Sequence, residues 1–325
     1  TIVQNPNADE STIIAQLRSL LDKVDSSERP GVVHAQPLAD LYQKHFEFWC
    51  GEEGRTNVIS SGLPGLDRAT GGFRLGDYVV IGARPCMGKT QLMIDMALHM
   101  SKTIPVLFFS LDQSEFTFSS QLAATLAVLP TQALLNAPLA SDMRAKLEGI
   151  GNDLQRRKLY TSCGSIRSLP AFVAYCHEEI SSKGIKVIFV DGIQSFTLDG
   201  FRGNREAEVT MVSKELLRLS RDYNVLVIAA SQLSRALESR KENKMPLLSD
   251  LRDSGSIEQH ADKVLLLYRP EYYGINNNEY GEKVEGETFV DVPKNRTGRR
   301  GSAKLSMKDN GGGFSDAEED SRLFI

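Results

Sequence analysis

The stretch from Tyr78 to Met100, YVVIGARPCMGKTQLMIDMALHM, constrains this chain more than any other. The apolar run 78–83 reads as a buried strand. A turn containing glycine and proline follows, and after Gly88-Lys89-Thr90 the residues Leu92, Met93, Met96 and Met100 recur at helical spacing. A strand that enters a helix through such a turn brings the loop N–H groups and the free N–H groups of the first helical turn to one point. There the helix dipole adds partial positive charge. A polyphosphate fits that point.

The residue types agree with this reading. Lys89 reaches the β and γ phosphates, the Thr90 hydroxyl ligates Mg2+, and Gly88 lets the backbone approach without a side chain in the way. The candidate nucleotide-binding residues are Gly82, Ala83, Arg84, Pro85, Cys86, Met87, Gly88, Lys89, Thr90 and Gln91. The stretch departs from the Walker A pattern once, because the first glycine of that pattern falls at Ala83. The plain alternative is a strand-to-helix turn that spells Gly-Lys-Thr and holds no ligand.

A second signal lies at 185–191, IKVIFVD, an apolar strand ending in an acid. Asp191 then sits at the carboxyl edge of the sheet, where open α/β sheets bind ligands. Its carboxylate would hold Mg2+ through water, the Walker B arrangement. The run 225–230 ends in Ser231-Gln232 at the same edge. Gln232 is a candidate sensor of the γ phosphate, or else a polar strand end.

Composition narrows the function class. A net charge of −4 argues against a globally basic duplex binder, so any nucleic-acid site must be a local concentration of Arg and Lys. No apolar run approaches membrane-spanning length, and TIVQNPNADE lacks the build of a signal peptide, so a cytoplasmic protein with no membrane partner is expected. The four cysteines lack metal-ligand spacing and are expected to be reduced.

Helices are expected over 10–25, 38–49, 115–129, 169–182 and 206–222, and further strands over 104–110, 158–161 and 264–268. Residues 197–205, TLDGFRGNR, form a glycine-rich loop carrying Arg202 and Arg205. Two antiparallel strands, 284–293 and 302–308, flank the basic segment 294–300. The fold class is α/β: a mainly parallel, doubly wound sheet finished by a C-terminal β-hairpin and preceded by N-terminal helices.

Taken in order, ISSGLPGLDRATGGFRLGD, GARPCMGKT, VIFVDGIQ, DLRDSGSIEQHADKVLLLYRPEYY and KNRTGRRG make the chain resemble the C-terminal motor domain of the DnaB-type replicative DNA helicases, a RecA-like P-loop NTPase. The resemblance spans about 37–314 and accounts for alanine at position 83. It implies a homo-hexameric ring that hydrolyses ATP with Mg2+ at subunit interfaces and draws one strand of a replication fork through its centre, with primase and a helicase loader as possible partners. Lys294 and Arg296 match the basic pair that reaches into a neighbour's ATP site. Arg252, Asp253 and Gly255 match a loop that touches the DNA backbone, with Arg202 and Arg205 as a second candidate. The family has Ser-Leu-Glu-Met where this chain has Ser110-Leu111-Asp112-Gln113, so Asp112 stands for the carboxylate that polarises the attacking water, one methylene shorter. The implied organisation is an N-terminal helical segment (1–36) that is a remnant of or substitute for the family's N-terminal domain, a linker helix (37–57), the ATPase domain (58–314) and an acidic tail (315–325). Two other functions stay open: a weakly hydrolysing, nucleotide-gated module that binds or loads single-stranded DNA, and a RecA-like recombination or repair ATPase.

Overall fold

A computed structural model describes residues 37–51, 58–136, 138–164, 166–198, 201, 203–240, 244–251, 255–277, 281, 283–308 and 312–317. The chain divides into two compact units, Thr1–Gly54 and Arg55–Ile325. The first contains α1 (Leu38–Cys50), on which Tyr42 and Phe46, one turn apart, bring their rings to 5.4 Å. The helix expected over 10–25 lies outside the described residues.

In the second unit six strands run parallel: β1 (Tyr78–Ala83), β2 (Val106–Ser110), β3 (Leu159–Cys163), β4 (Val187–Asp191), β5 (Leu226–Gln232) and β6 (Lys263–Tyr268). Their order across the sheet is β3-β2-β4-β5-β1-β6. The helices are α2 (Pro64–Thr70), α3 (Lys89–Met100), α4 (Glu115–Ala127), α5 (Thr131–Leu135), α6 (Ser141–Arg156), α7 (Leu169–Lys183), α8 (Arg205–Asp222) and α9 (Gly255–His260).

β1, β2 and β4 are buried along their whole length because both faces of the sheet are covered. Alternate side chains enter two different cores. Val79, Ile81, Phe108 and Phe189 pack with Met93 and Met96 of α3 and Phe118 of α4. Tyr78, Val80, Phe109 and Val190 pack with Phe172 of α7 and Leu216 of α8. Phe108 stacks on Phe189 at 5.5 Å in the first core, and Phe109 meets Phe172 edge-on at 4.8 Å in the second. Each such fully buried ring is worth about 1.5–3 kcal/mol in transfer free energy alone. At the start of β6 the fully buried Lys263 donates to Asp77, just before β1, at 2.6 Å. The pair fixes the start of β6 beside the start of β1.

The expected hairpin is the middle of a larger antiparallel end. β7 (Glu287–Asn295) pairs with both β6 and β8 (Gly301–Met307), and a short β9 (Phe314–Asp316) pairs with β8. A domain boundary at 314 therefore falls inside a strand. The first residues of the expected acidic tail are part of the fold: Asp316 accepts from the Gly65 N–H at 3.0 Å and caps the start of α2. Its negative charge suits a helix N-terminus. Residues 318–325 lie outside the described residues.

β9 is fixed to the phosphate-loop helix. The Phe314 N–H donates to Asp95 of α3 at 2.8 Å, and the Phe314 ring covers Gly88. Burial raises the Asp95 carboxyl to about 6, against the Phe314 N–H, Lys308 and Gln91, which favour the carboxylate. The folded protein thus holds this proton more tightly than the unfolded chain, whose aspartate titrates near 3.9. The stability linked to the group is fully present below the unfolded value and is lost as pH rises through the folded one. Asp95→Asn keeps an oxygen for the Phe314 N–H and removes the charge. It should raise unfolding stability at about pH 8 by roughly 2–3 kcal/mol and change it little at about pH 4, as read from urea midpoints. An equal shift at both pH values would show that the buried charge is not the cause.

Candidate nucleotide site and nucleic-acid interface

β1 ends at Ala83, and its methyl lies within the first core, so the position of the first Walker glycine takes alanine without crowding the loop. Gly88 adopts φ 89°, ψ 17°, a left-handed conformation in which a side chain is strained. A methyl group there would also lie 2.7 Å from the Phe314 ring. The glycine is thus required by the turn and by the strand packed behind it, in addition to the approach of a phosphate. α3 then begins at Lys89.

The ten candidate loop residues divide by where their side chains go. Pro85 and Cys86 are exposed, and Met87 is buried in the core. Arg84 turns away from the edge: its guanidinium bonds Glu238 at 2.8 Å and the Leu233 carbonyl at 2.7 Å, tying the loop to the segment after β5. Gln91 donates to Thr125 of α4 at 2.9 Å. Lys89 and Thr90 meet the acids at the carboxyl edge of the sheet.

Strand register brings that edge together. Ser110 of β2 pairs with Asp191 of β4, and Ala83 of β1 pairs with Gln232 of β5. The Thr90 hydroxyl donates to Asp191 Oδ2 at 2.6 Å across the intervening β5. Burial pushes the Asp191 carboxyl up, opposed by the Lys89 charge and the Thr90 hydroxyl and reinforced by Asp112. The same burial pushes the Lys89 ammonium down, opposed by Asp191 and then Asp112. A hydroxyl and a carboxylate side by side are hard oxygen donors that suit Mg2+, with phosphate and water left to complete its shell.

Asp112 lies two residues beyond β2 and accepts a hydrogen bond from the Ser195 hydroxyl. Ser195 closes a single 3-10 turn, Ile193–Ser195, that follows β4. In the same turn Gln194 spans to β5: its amide donates to Ser231 Oγ at 3.0 Å, and its oxygen accepts from the Gln232 N–H at 3.1 Å. Sequence reasoning missed Gln194 and Ser195. The signal for them was a polar pair beginning three residues after a strand-ending acid. The Gln232 side chain itself is exposed at the edge.

The basic candidates are placed as follows. Lys294 donates to the Glu258 and Gln259 carbonyls, and Arg296 bonds the Gln259 carbonyl and, at 3.4 Å, Asp262. Both therefore rest on the last turn of α9, the negative end of its dipole. Burial and then the neighbouring Arg296 charge hold Lys294 below the ordinary lysine value. Arg205 belongs to the first turn of α8 and not to a loop, and its guanidinium bonds Glu208 and the Gln194 and Phe196 carbonyls. Gly255 opens α9. Arg202, Arg252 and Asp253 lie outside the described residues.

A family model described as the DnaB-like helicase C terminal domain matches residues 58–316. The chain belongs to the DnaB-like helicase C-terminal domain family. Among curated relatives, it is 37% identical over 258 residues to a probable replicative DNA helicase of Trieres chinensis, covering 78% of this chain and 56% of the relative. To the replicative DNA helicase DnaB of Geobacillus stearothermophilus it is 32% identical, covering 81% and 57%. It is 29% identical to a probable plasmid replicative DNA helicase of Chlamydia psittaci, covering 95% and 70%. The chain thus spans little more than half the length of most of these relatives. Two solved structures are similar at 27% identity. One, a DnaB-like replicative helicase described with its interactions with primase, has a TM-score of 0.75 and covers 98% of this chain and 74% of its own. The other, an ATPase domain, has a TM-score of 0.78 and covers 88% and 100%. Both support the RecA-like fold. Among the described residues no helix is long and apolar enough to cross a membrane.

A phosphate held at Lys89 would bind in a pH-dependent way, because burial depresses that ammonium. A bound phosphate favours the charged form, so binding draws in a proton as pH rises past the lowered value. Calorimetric titration of a non-hydrolysable ATP analogue at about pH 9, in buffers of different ionisation enthalpy, should show net proton uptake and weaker affinity than at about pH 7. Net proton release would contradict the assignment of Lys89 to the phosphates.

Proposed function

We propose that the chain is the ATP-hydrolysing motor of a replicative DNA helicase, working as a six-membered ring that draws one DNA strand through its centre and displaces the other. The observation that carries the reading is the Thr90–Asp191 hydrogen bond beside the half-buried Lys89, a hydroxyl, a carboxylate and an ammonium gathered at the end of a phosphate loop. In this reading Lys89 holds the β and γ phosphates. Thr90 and, through water, Asp191 would hold Mg2+, which would supply positive charge to the phosphate oxygens. Asp112 accepts the proton of the water that attacks the γ phosphorus while the bond to the β phosphate breaks, and Gln232 senses the γ phosphate.

Lys294 and Arg296 would serve the site of a neighbouring copy. Burial and then the Arg296 charge lower the Lys294 ammonium, and an anion meeting the pair offsets both. Arg252, Asp253 and Gly255, with Arg202, are the proposed DNA contacts. Because such groups meet phosphates, little sequence preference is expected. Primase and a helicase loader are the candidate partners, and the primase interactions named for one similar structure support the first of these.

A weakly hydrolysing, nucleotide-gated module is a second reading, favoured by Asp112, whose carboxylate is one methylene shorter than the family's glutamate. Its test is Asp112→Glu: a gain of tenfold or more in turnover would favour a damped switch, by the reach that general-base action needs.

The motor reading makes a sharper demand. Lys89→Ala and Arg296→Ala should each lower DNA-stimulated ATP turnover by about 10²-fold or more. Mixing the two should restore part of it, because one copy supplies an intact phosphate loop and the other an intact basic pair. Monomers in the presence of an ATP analogue, or no recovery on mixing, would remove the shared site.

A further inference from the structure

The turn Ile193–Ser195 is bonded on three sides, and each side leads to a different part of the machinery. Ser195 donates to Asp112. Gln194 holds the Ser231-Gln232 end of β5 through both ends of its amide. On the third side the Gln194 and Phe196 carbonyls accept from the Arg205 guanidinium, which also pairs with Glu208. Glu208 in turn accepts from the Leu198 N–H at 3.1 Å, so both ends of the glycine-rich stretch 197–205 are anchored to the turn and to the start of α8.

We infer that Arg205 is a positioning residue which holds the Gln194–Ser195 turn and, through Ser195, sets the carboxylate of Asp112. The inference rests on the reading of Asp112 as that group.

The chemistry of the contacts supports this role. Arg205 directs its fork of donors at two carbonyls and a carboxylate, and an arginine already paired with a carboxylate presents little net charge to a DNA phosphate. The turn it holds bears on an oxygen whose placement matters more than usual, because a short carboxylate cannot search for the water. The Ser195 hydroxyl occupies Oδ1, and Oδ2 is left to receive the proton. Oδ2 lies 3.7 Å from where a methyl group at Gly192 would stand, so the turn after β4 runs close beside it.

The test uses the full chain with ATP and a single-stranded oligonucleotide. Ser195→Ala should lower DNA-saturated kcat about tenfold with KM for ATP unchanged, and Ser195→Thr should restore kcat. Arg205→Gln should lower kcat similarly while leaving oligonucleotide affinity and its salt dependence as in the parent. The double variant should be no slower than the slower single variant. If Arg205→Gln instead weakens DNA binding, flattens the salt slope by about one phosphate contact and keeps kcat at saturating DNA, Arg205 is a phosphate ligand and the inference falls. It falls equally if both Arg205→Gln and the milder Arg205→Lys lose binding of an ATP analogue, which would make the residue a scaffold, or if the two defects simply multiply. A parent without DNA-stimulated hydrolysis would remove the motor reading and this inference together.

Discussion

The hydrogen bond from Thr90 to Asp191 is the contact on which the rest of the molecule turns. It links the first turn of α3, reached from β1, to the end of β4, although β5 lies between those strands. Polar groups are thereby drawn to one edge from strands that are otherwise buried and apolar and from the first turn of α3. Taking Asp191 and Lys89 out of water costs both of them solvation, and each partly offsets the other's cost. Strand register supplies the precision: Ser110 beside Asp191 sets the ends of β2 and β4 level, Ala83 beside Gln232 does so for β1 and β5, and Val190 beside Ala229 fixes the offset between the two pairs.

The antiparallel end of the sheet belongs to the same site. β9 is only three residues long, yet its backbone is held by Asp95 of α3 and its Phe314 ring lies on Gly88. The loop that would cradle a phosphate is thus backed by residues from the far end of the chain. The hairpin strand β7 leads through Lys294 to Arg296, and both side chains rest on the C-terminal carbonyls of α9. Within one chain that arrangement stores two cations near a helix end, a favourable place for positive charge.

Family membership and geometry answer different questions. Membership identifies the kind of domain, a DnaB-like helicase C-terminal domain over residues 58–316. Geometry shows how the parts are joined: Arg84 to the segment after β5, Gln91 to α4, and the turn after β4 to Asp112, β5 and Arg205. These links use polar side chains of ordinary type at unremarkable spacing, which is why reading the residues in sequence passes over Gln194 and Ser195. It also explains the placement of Arg205 in a loop by sequence: the glycines at 200 and 203 suggest one, whereas Asn204 caps the helix that starts at the next residue.

What the sequence by itself determined is everything that depends on local pattern: the parallel strands and the helix after the loop, the doubly wound class, and the candidacy of Lys89, Thr90 and Asp191. Period-two and period-3.6 burial is a local property, and a phosphate loop is a continuous segment, so both can be read along the chain. Only the tertiary structure decided that β9 is a strand, that Gly88 answers to Phe314 as well as to a ligand, and that Asp112 is held by Ser195. Each of those depends on atoms far apart in sequence meeting at short range, and no spacing rule along a chain records which distant side chain will stand opposite.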